Sequence, residues 1–553
     1  MVWNCSVFFA FMIVVISIIA LVVPFFRVGK KVRLAIAHPT NVKTQELIKK
    51  LKIDGYAINV NLASESGIYT ALEAYRKLEG PTPLQNENHI DESKIESYQA
   101  EIENLAALRE KLQSSTSEEA LNILSVGALK TGASDIHYQP EEKRVIVRFR
   151  IDGVLQQILE LDLGTYAYLA NQLKYKAGMR LNVTNVPQDG RYFFNVNDRK
   201  IDVRVSSIPT EYGESFVCRL LDSKKKNLTF EELGFEGRNL EILHAALKMD
   251  NGMILVTGPT GSGKTTTLYS LLNDFNQPEN KIITLEDPIE YHLSGIIQSQ
   301  INEKRGYTFG SGLRAILRQD PDVVMIGEIR DLDTAETAVQ AALTGHIMLS
   351  TLHTNSAIET VPRLLNIGLK PFMVAPALGV VIAQRLVRKV CPFCAQQKPI
   401  EVADRKVLEA AIKQIDSVIT SQSGSFVTSR GRALPSPMDS TFPSAAPLSI
   451  PSTLPVGVGC EKCAKTGYLG QACIGEMFTN SEELKAAILA EKGTTELFKI
   501  VRAQGMLTMG EDGILKVLRG ETTLAEVGRV TEFALAEAAT TVGDAWVTTA
   551  TQA

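Results

Sequence analysis

The most informative part of the sequence is the apolar run Gly252-Met-Ile-Leu-Val-Thr257, which continues directly into Gly258-Pro-Thr-Gly-Ser-Gly263-Lys264-Thr265. The second stretch fits the pattern G-x-x-x-x-G-K-[ST] between a predicted strand and a predicted helix over 266–272. Glycines here allow backbone N–H groups and the helix amino terminus to surround a phosphate. Lys264 is then placed to reach the β- and γ-phosphates, and Thr265 to bind Mg²⁺. The predicted nucleotide-binding residues are Gly258, Pro259, Thr260, Gly261, Ser262, Gly263, Lys264, Thr265 and Thr266.

Three further apolar runs end in side chains suited to phosphate chemistry. The run 282–285 leads to Glu286, Asp287 and Glu290, the run 323–326 to Glu328, and the run 347–349 to His353. In open α/β sheets, ligands bind beyond the carboxyl ends of the strands. Carboxylates there suit a hydrated Mg²⁺ and an attacking water, and the histidine suits a contact to the γ-phosphate. Any one of these acids alone could be an ordinary surface residue, but together they predict a hydrolase of nucleoside triphosphates.

The composition and length are those of a multidomain globular protein. Apolar residues make up 45% and charged residues 22%, which excludes wholesale disorder and collagen-like chains. A length of 553 residues suggests roughly three or four domains of about 150 residues each. The net charge of −4 gives no overall electrostatic reason to expect nucleic-acid binding. Strand and helix signals alternate from 228 to about 386, which predicts a mostly parallel α/β sheet covered on both faces.

The motifs resemble those of secretion-superfamily ATPases, the hexameric motors of type II secretion and type IV pilus assembly. The stretches that carry the resemblance are GPTGSGKTTTLYSLL from 258, ITLEDPIEY from 283, LRAILRQDPDVVMIGEIRD from 313 and TGHIMLSTLHTNSA from 344. Apart from one Ser/Pro-rich insertion, the resemblance runs from about Lys31 to Thr531. It implies a RecA-like P-loop domain that hydrolyses ATP with Mg²⁺ and assembles into homohexamers.

The resemblance also assigns roles to the residues beyond the strands. Glu328 would be the Walker B glutamate that polarises the attacking water, and His353 would contact the γ-phosphate. Glu286, Asp287 and Glu290 would form the acidic box around Mg²⁺. The sequence leaves open whether Glu328 or an acidic-box glutamate is the dominant catalytic acid, and we favour Glu328.

Further matches upstream imply a second amino-terminal domain of α+β, PAS-like type. They include Ala133-Ser-Asp-Ile-His137 and Asp202-Val-Arg-Val-Ser-Ser-Ile-Pro-Thr210. Arg204 and Arg219 stand where the family places arginines that reach a neighbouring active site. A guanidinium from another domain stabilises the charge on a transferring phosphoryl group. The alternative is that both arginines form ordinary salt bridges on an exposed strand face.

Two cysteine pairs, Cys391-Pro-Phe-Cys394 and Cys460-Glu-Lys-Cys463, match the tetracysteine element of assembly-type members. Thiolates in two such pairs suit a tetrahedral structural Zn²⁺. The 65 residues between the pairs exceed the roughly 15–20 of common zinc ribbons. Loop-closure entropy grows slowly with length, so the longer gap costs only about 1 kcal/mol, against roughly 10–16 kcal/mol from structural zinc. Reduced thiols without metal are the alternative. Retraction motors of the superfamily normally lack these pairs, so the chain resembles an assembly motor.

The amino terminus carries an uncharged segment of twenty residues, 7–26, that is apolar apart from Ser17, and four basic residues follow between 27 and 33. A helix of that length spans about 30 Å, the thickness of a bilayer's hydrocarbon core, and the basic flank places the rest of the chain in the cytoplasm. The segment is therefore either a transmembrane anchor or the altered start of the family's first amino-terminal domain. Either way, the family implies attachment to the cytoplasmic face of the inner membrane.

These segments give the predicted domain boundaries. Residues 1–26 are the hydrophobic segment, 27–80 a partial first amino-terminal α/β domain, 81–113 a linker and helix, 114–225 the second amino-terminal domain, 226–533 the ATPase domain, and 534–553 a flexible tail. The cysteine element, 391–463, is predicted to be interrupted by a disordered insertion over 417–456. Six of the 22 prolines lie between Pro435 and Pro455, in a stretch that is almost uncharged.

The sequence also suggests partners for the protein and two alternative functions. The resemblance implies an inner-membrane platform protein besides further copies of the chain. We favour type IV pilus assembly over type II secretion, although the sequence barely separates them. The rivals are a nucleotide-gated scaffold with little hydrolysis and a RecA-like ATPase acting on nucleic acid. Intact Lys264, Thr265, Glu328 and His353 argue against the scaffold. Only Lys389, Lys398, Lys462 and Lys465 suggest a basic groove near the cysteines, so no nucleic-acid partner is expected.

Overall fold

The structure is a computed structural model, and the chain forms two units. The described residues are 22–28, 31–53, 55–77, 108, 112, 117–196, 199–222, 228–420 and 448–531. The contacts divide the chain into residues 1–87 and 88–553. The predicted linker and helix over 81–113 lie almost entirely outside the described residues, as does the predicted tail over 534–553.

The first unit is a small α/β structure. Its elements are β1 (Val22–Val28), β2 (Lys31–Ile36), α1 (Val42–Ile53), β3 (Ala57–Leu62) and α2 (Glu65–Lys77). Strand β2 lies in the middle, antiparallel to β1 and parallel to β3. Leu34 and Ile36 of β2 pack against Leu47 and Leu51 of α1. The mixed α/β pattern predicted for this region is therefore observed.

The apolar segment 7–26 differs from a continuous membrane helix at its carboxyl end. Residues 22–26 belong to β1, where Val22 pairs with Ile36 and Val23 with Ala35. β-Branched and aromatic residues favour a strand, and Pro24 is unsuited to a helix interior. Residues 1–21 lie outside the described residues. Among the residues that the structure describes, no helix is both long and apolar enough to cross a bilayer. The boundary predicted at 26/27 falls inside a strand.

The second unit begins with a six-stranded antiparallel sheet and two helices. The elements are α3 (Ser117–Lys130), β4 (Ala133–Pro140), β5 (Val145–Ile151), β6 (Val154–Leu161), α4 (Leu163–Lys176), β7 (Gln188–Val196), β8 (Arg199–Thr210) and β9 (Gly213–Asp222). The strand order is β6-β5-β4-β9-β8-β7. Large side chains of the inner face, including Tyr138, Phe149, Phe194 and Phe216, are buried with residues of the helices. The outer face carries the intervening polar residues, as expected for a one-sided antiparallel sheet.

The ATPase domain follows, built on a seven-stranded sheet. Its first elements are α5 (Gly237–Ala246), β10 (Gly252–Thr257), α6 (Lys264–Phe275), β11 (Ile282–Glu286), β12 (Ile297–Gln300), α7 (Phe309–Leu317), β13 (Val323–Ile326), α8 (Leu332–Leu343), β14 (Ile347–Leu352), α9 (Thr360–Ile367), α10 (Pro371–Ala377) and β15 (Leu378–Val390). Its later elements are β16 (Ala395–Pro399), α11 (Val402–Thr420), β17 (Thr453–Gly457), β18 (Tyr468–Thr479), α12 (Glu482–Leu489), α13 (Thr494–Ala503), α14 (Met509–Leu518) and α15 (Leu524–Val530).

The central strands are parallel and buried on both faces, as predicted. The strand order is β12-β11-β13-β14-β10-β15-β18, and of the neighbouring pairs only β15 and β18 are antiparallel. Leu255 and Val324 lie in the core on one face of the sheet, while Ile254, Val256 and Leu349 lie in the core on the other. Near-continuous apolar runs are what such two-sided burial requires. Consequently the carboxyl ends of β10, β11, β13 and β14 meet along one edge.

The insertion predicted over 417–456 is shorter at both ends than expected. Residues 417–420 complete α11, and 453–457 form β17, which pairs antiparallel with β16. The apolar face of α11 explains the first difference, because Leu408, Ala411 and Ile415 are buried in the main core. Residues 421–447 lie outside the described residues.

One hydrogen bond links the cysteine element to the preceding domain within this unit. Asp152 and Gly153 form the turn between β5 and β6, with positive φ angles of 48° and 81°. The Asp152 carboxylate accepts a bond from the Gly470 N–H at 2.8 Å. Gly470 is the third residue of β18, shortly after the second cysteine pair, so this bond is one contact between the turn and the ATPase domain.

Candidate active site

The loop between β10 and α6 has the backbone form that a phosphate requires. Gly258 has φ 146°, and a Cβ there would lie 2.6 Å from Ser262 Oγ and 2.7 Å from the Gln384 carbonyl oxygen. Gly263 caps α6 in the left-handed region, with φ 87°. No side chain of an L-amino acid fits at Gly258, and few L-amino acids adopt the backbone conformation of Gly263. The N–H groups at the start of α6 are thereby left to face an anion.

Lys264 lies over this loop. Its Nζ donates to the carbonyl oxygens of Gly258 at 2.7 Å and Pro259 at 3.0 Å. Burial lowers the pKa of Lys264 to about 8, a net value to which nearby Arg385 also contributes and which the Glu328 carboxylate opposes. A bound triphosphate therefore competes with two carbonyl oxygens for the ammonium group.

Gln384 supports the loop from the neighbouring strand, and the sequence analysis did not single it out. The residue is fully buried in β15. Its Nε2 donates to the Ser262 carbonyl oxygen at 2.8 Å, and its Oε1 accepts from Thr267 Oγ1 at 2.9 Å. The only signal in the sequence is that Gln384 and Arg385 interrupt the otherwise apolar run 378–387.

Glu328 and His353 are brought together, as predicted for a hydrolytic site. Glu328 follows β13, and its Oε2 lies 3.6 Å from His353 Nε2. Arg330 forms an ion pair with the other oxygen of Glu328. The Glu328 carboxylate is 20% exposed, so it is accessible to water. Two independent strand ends thus place an acid and a histidine beside the phosphate loop.

A cavity of about 610 Å³ joins the phosphate loop to the histidine loop. Gly258, Pro259 and Thr260 line one side, and His353, Thr354 and Asn355 line another. The remaining wall is built by Glu359, Pro362, Arg363 and Asn366, at or next to α9. This volume lies within the range of small-molecule sites, and its position beside His353 is where a γ-phosphate is expected.

Glu286 lies differently from the other predicted acids. It is buried at the end of β11, and its carboxylate accepts bonds from Thr284 Oγ1 at 2.5 Å, Gln298 Nε2 at 3.1 Å and the Tyr269 hydroxyl. Tyr269 belongs to α6, and its ring meets Tyr291 edge to face at 4.6 Å. Glu286 therefore connects α6 to the loop that carries the other two acids, instead of facing solvent.

Arg204 contacts the acidic loop of its own chain. Its Nη2 donates to the Ile289 carbonyl oxygen at 2.8 Å, and its Nη1 lies 3.1 Å from Glu290 Oε2. Arg219 instead donates from Nε to Asp135 Oδ1 at 2.8 Å. This bond and the charges of Asp135 and Glu290 raise the pKa of Arg219. Both predicted arginines therefore lie in the field of Glu290.

The four cysteines of the two pairs form one cluster. Their sulfur atoms all lie within 4.8 Å of one another, with Cys391–Cys460 at 3.9 Å, Cys394–Cys463 at 3.8 Å and Cys460–Cys463 at 3.7 Å. Zinc–sulfur bonds of about 2.3 Å in a tetrahedron give sulfur–sulfur edges of about 3.8 Å. The N–H groups of Cys460 and Gly467 donate toward Cys463 Sγ. The cluster fits a zinc ion in size and in ligand chemistry.

The fold and the loop geometry define the class first: this is a P-loop nucleoside-triphosphatase. A family model described as "Type II/IV secretion system protein" matches residues 110–529, and the chain belongs to that family. It is 42% identical over 411 residues to the type II secretion system protein E of Aeromonas hydrophila, covering 74% of this chain and 75% of the relative. It is 38% identical over 508 residues to the type IV pilus assembly ATPase PilB of Myxococcus xanthus, covering 92% and 83%.

A solved structure supports the fold alone. The ATPase DotB of Legionella pneumophila matches with a TM-score of 0.51 at 20% identity, over 75% of this chain and 96% of DotB. The predicted α/β ATPase fold and the predicted likeness to assembly motors are thus confirmed. The protein is an ATPase of this family.

Proposed function

We propose that the chain is a homohexameric, ATP-driven motor that powers fibre assembly at the cytoplasmic face of the inner membrane. Its fibre is a type IV pilus or the pseudopilus of a type II secretion system. The observation that carries the proposal is the arrangement of Glu328 and His353, 3.6 Å apart, beside the phosphate loop. The match to the pilus assembly ATPase of Myxococcus xanthus extends over 92% of the chain, and the match to the secretion protein of Aeromonas hydrophila extends over 74%. On the ground of this one longer match we favour the pilus.

The hydrolytic step follows from the positions of these groups. The loop amides and Lys264 would bind the phosphates, and Thr265, at the start of α6, would be a ligand of the accompanying Mg²⁺. This ion, when bound, neutralises charge on the β- and γ-oxygens. Glu328 accepts a hydrogen bond from the attacking water and takes up its proton, while His353 contacts the γ-phosphate. Arg330 fixes one oxygen of Glu328 and leaves the other toward His353.

The acidic-box residues divide into two roles in this proposal. Asp287 and Glu290 would supply the carboxylates that hold the hydrated Mg²⁺. Glu286 keeps their loop in place, because three donors already occupy its oxygens. Arg204 and Arg219 are supplied from the preceding domain to stabilise phosphoryl charge. In a hexamer they act on the nucleotide of a neighbouring chain. The contact between Arg204 and Glu290 of the same chain would then form in one of the relative arrangements of the two domains.

The cysteine element is proposed to hold one structural Zn²⁺ through Cys391, Cys394, Cys460 and Cys463. All four positions are taken by thiolates, so the site is of the closed kind that stabilises a fold. Zinc there would join the end of β15 to the start of β18, the one antiparallel pair among the neighbours in the catalytic sheet. Cys218 and Cys473 are buried elsewhere and take no part.

The remaining proposals concern location and domain movement. The protein acts with an inner-membrane platform protein, either as a peripheral protein or anchored through residues 7–26. The domain 114–225 moves against the domain 226–533 about the linker near 224–228 as ATP is bound, hydrolysed and released. The segment 27–80 is then a partial first domain.

The test is Mg²⁺-dependent ATP hydrolysis by the full chain over a range of protein concentrations, beside a Glu328→Gln control. We expect activity per subunit to rise with concentration and to vanish in the control. Activity independent of concentration would refute the shared sites. Nucleotide binding without hydrolysis would favour the nucleotide-gated scaffold, and stimulation by DNA or RNA would favour the nucleic-acid ATPase.

A further inference from the structure

The strand register of the domain 117–222 aligns four arginines and one aspartate in a single row. Cross-strand partners are Arg150 with Asp135, Asp135 with Arg219, Arg219 with Arg204, and Arg204 with Arg191. The row therefore crosses β5, β4, β9, β8 and β7 in order. Directly opposed residues of an antiparallel pair share a face, with Cβ atoms about 5 Å apart. We call this set the arginine row.

The arginine row lies on the outer face of the sheet. The residues that flank Arg204 along β8, Val203 and Val205, are buried in the core, and so are Cys218 and Leu220 around Arg219. Side chains alternate along a strand, so the arginines point away from that core. Arg191 is exposed, and 53% of the Arg219 side chain is exposed. The row is accessible to a ligand.

Its charge is poorly balanced within the protein. Like charges directly opposed across strands destabilise a sheet, yet the row places Arg191, Arg204 and Arg219 side by side. Arg191 forms no ion pair and no side-chain hydrogen bond with the residues that the structure describes. Asp189 and Asp202, two residues away along the strands, form no ion pair with the row either. Such an arrangement favours an external anion.

Asp135 supplies the one carboxylate of the row and determines how Arg219 is presented. The Asp135 side chain is only 4% exposed. It accepts from Arg219 Nε at 2.8 Å and lies 3.5 Å from Arg150 Nε. Because Asp135 takes Nε, the two terminal nitrogens of Arg219 have no partner among the described residues and are free for a two-point contact. Planar guanidinium groups match phosphate oxygens in this way.

We propose that Arg191, Arg204 and Arg219 form one binding row for the phosphates of ATP, and that Asp135 positions Arg219 within it. The phosphate chemistry follows from Arg204, whose guanidinium already reaches Ile289 and Glu290 beside the nucleotide site. The inference deepens the proposed function and rests on it. It adds Arg191 as a contact to the nucleotide and Asp135 as a positioning residue, roles that the sequence analysis does not assign to either residue.

The first test compares Arg191→Ala with Arg144→Ala, because Arg144 is an exposed arginine of the same domain engaged with Glu141 and Glu160. We expect Arg191→Ala to lower kcat by about tenfold or more with little change in KM for ATP, and Arg191→Lys to recover part of the loss. Arg144→Ala should retain wild-type turnover. Equal turnover of both alanine variants would overturn the role of Arg191.

The second test is a double-mutant cycle on kcat with Asp135→Asn and Arg219→Ala. If Asp135 acts through Arg219, the double variant loses no more activity than Arg219→Ala alone. Additive losses would show that Asp135 is only structural, and thermal unfolding of each variant separates loss of fold from loss of turnover. Because Arg191 is exposed, its variants keep the proposal testable if Asp135→Asn does not fold.

A third experiment shows whether the arginine row contacts the nucleotide of its own chain or that of a neighbouring chain. Chains with Arg191→Ala keep the phosphate loop, and chains with Lys264→Ala keep the row. Recovery of hydrolysis on mixing the two places the row on a neighbouring chain's nucleotide, and no recovery places it on its own. If the wild-type chain shows no Mg²⁺-dependent hydrolysis of ATP, the proposed function itself fails. If the wild-type chain is active and Arg191→Ala matches it while Glu328→Gln is inactive, only the arginine row fails.

Discussion

Arg204 and Glu290 form an ion pair between two domains of one chain, with 3.1 Å between Nη1 and Oε2. The same arginine also donates to the Ile289 carbonyl oxygen, so both of its terminal nitrogens are engaged with the acidic loop. An arginine that is to meet phosphate must exchange these contacts for phosphate oxygens. The position of the domain 117–222 and the state of the acidic loop are therefore linked through one side chain.

Replacement of Arg204 by alanine should lower turnover and leave nucleotide affinity nearly intact. Arginines that act on the transferring phosphoryl group contribute up to about 10³–10⁵ in rate, and a loss of tenfold or more is expected here. The measurement is steady-state hydrolysis alongside equilibrium binding of a fluorescent ATP analogue. Weaker binding in proportion to the loss of kcat would instead assign Arg204 to ground-state binding.

Glu328→Gln should abolish most hydrolysis without loss of ATP binding. The amide keeps the size of the side chain and an oxygen for Arg330, but it cannot take up a proton. A loss of about 10²–10⁴ in kcat is expected for a general base. Glu279→Gln, on the exposed segment after α6, is the matched control and should retain activity. If Glu328→Gln keeps near-normal turnover, an acidic-box glutamate is the catalytic base.

Affinity for ATP should fall as the pH rises from 7 to 9. The pKa of Lys264 is lowered to about 8 by burial, so the ammonium form that binds phosphate is increasingly lost above that pH. The expected increase in Kd is up to about tenfold over this interval. Binding of ATP by the Lys264→Arg variant should not weaken with pH, because a guanidinium stays charged. Equal pH dependence in both proteins would attribute the effect to another group.

Zinc should accompany the protein at about one equivalent per chain after purification without chelator. Structural zinc contributes roughly 10–16 kcal/mol, so Cys463→Ser should lose the metal and unfold at a markedly lower temperature. Cys218→Ala, at a buried cysteine outside the cluster, should keep its zinc. Metal analysis and thermal unfolding together make the measurement. Less than half an equivalent in the wild-type protein would contradict the site.

The parts of the fold that could be predicted from sequence are those with local signals. The strand–loop–helix around Lys264 is encoded by an apolar run, fixed glycines and a helical stretch, all within about twenty residues. Strands buried on both faces, such as β10 and β13, can be recognised in the sequence as uninterrupted apolar runs. Glu328 and His353 could be predicted as site residues because each lies shortly after such a run.

The missed features depend on which strands become neighbours. Gln384 supports Ser262 only because β15 lies beside β10, and no local pattern states that pairing. The row that joins Arg191 to Arg204 likewise requires the register of β7 against β8. The sequence analysis grouped Glu286 with Asp287 and Glu290. A side chain at the end of a strand faces one side of the sheet or the other, and the Glu286 side chain faces Tyr269.

The pairing of β16 with β17 has a consequence for chain continuity. Residues 395–399 pair with 453–457, and the cysteine cluster joins the segments just outside them. Both ends of the intervening stretch are thus fastened side by side. Because β15 also pairs with β18, a backbone cut between 421 and 447 should leave the two fragments associated as one particle. An insertion in the same stretch is therefore expected to leave the catalytic sheet undisturbed.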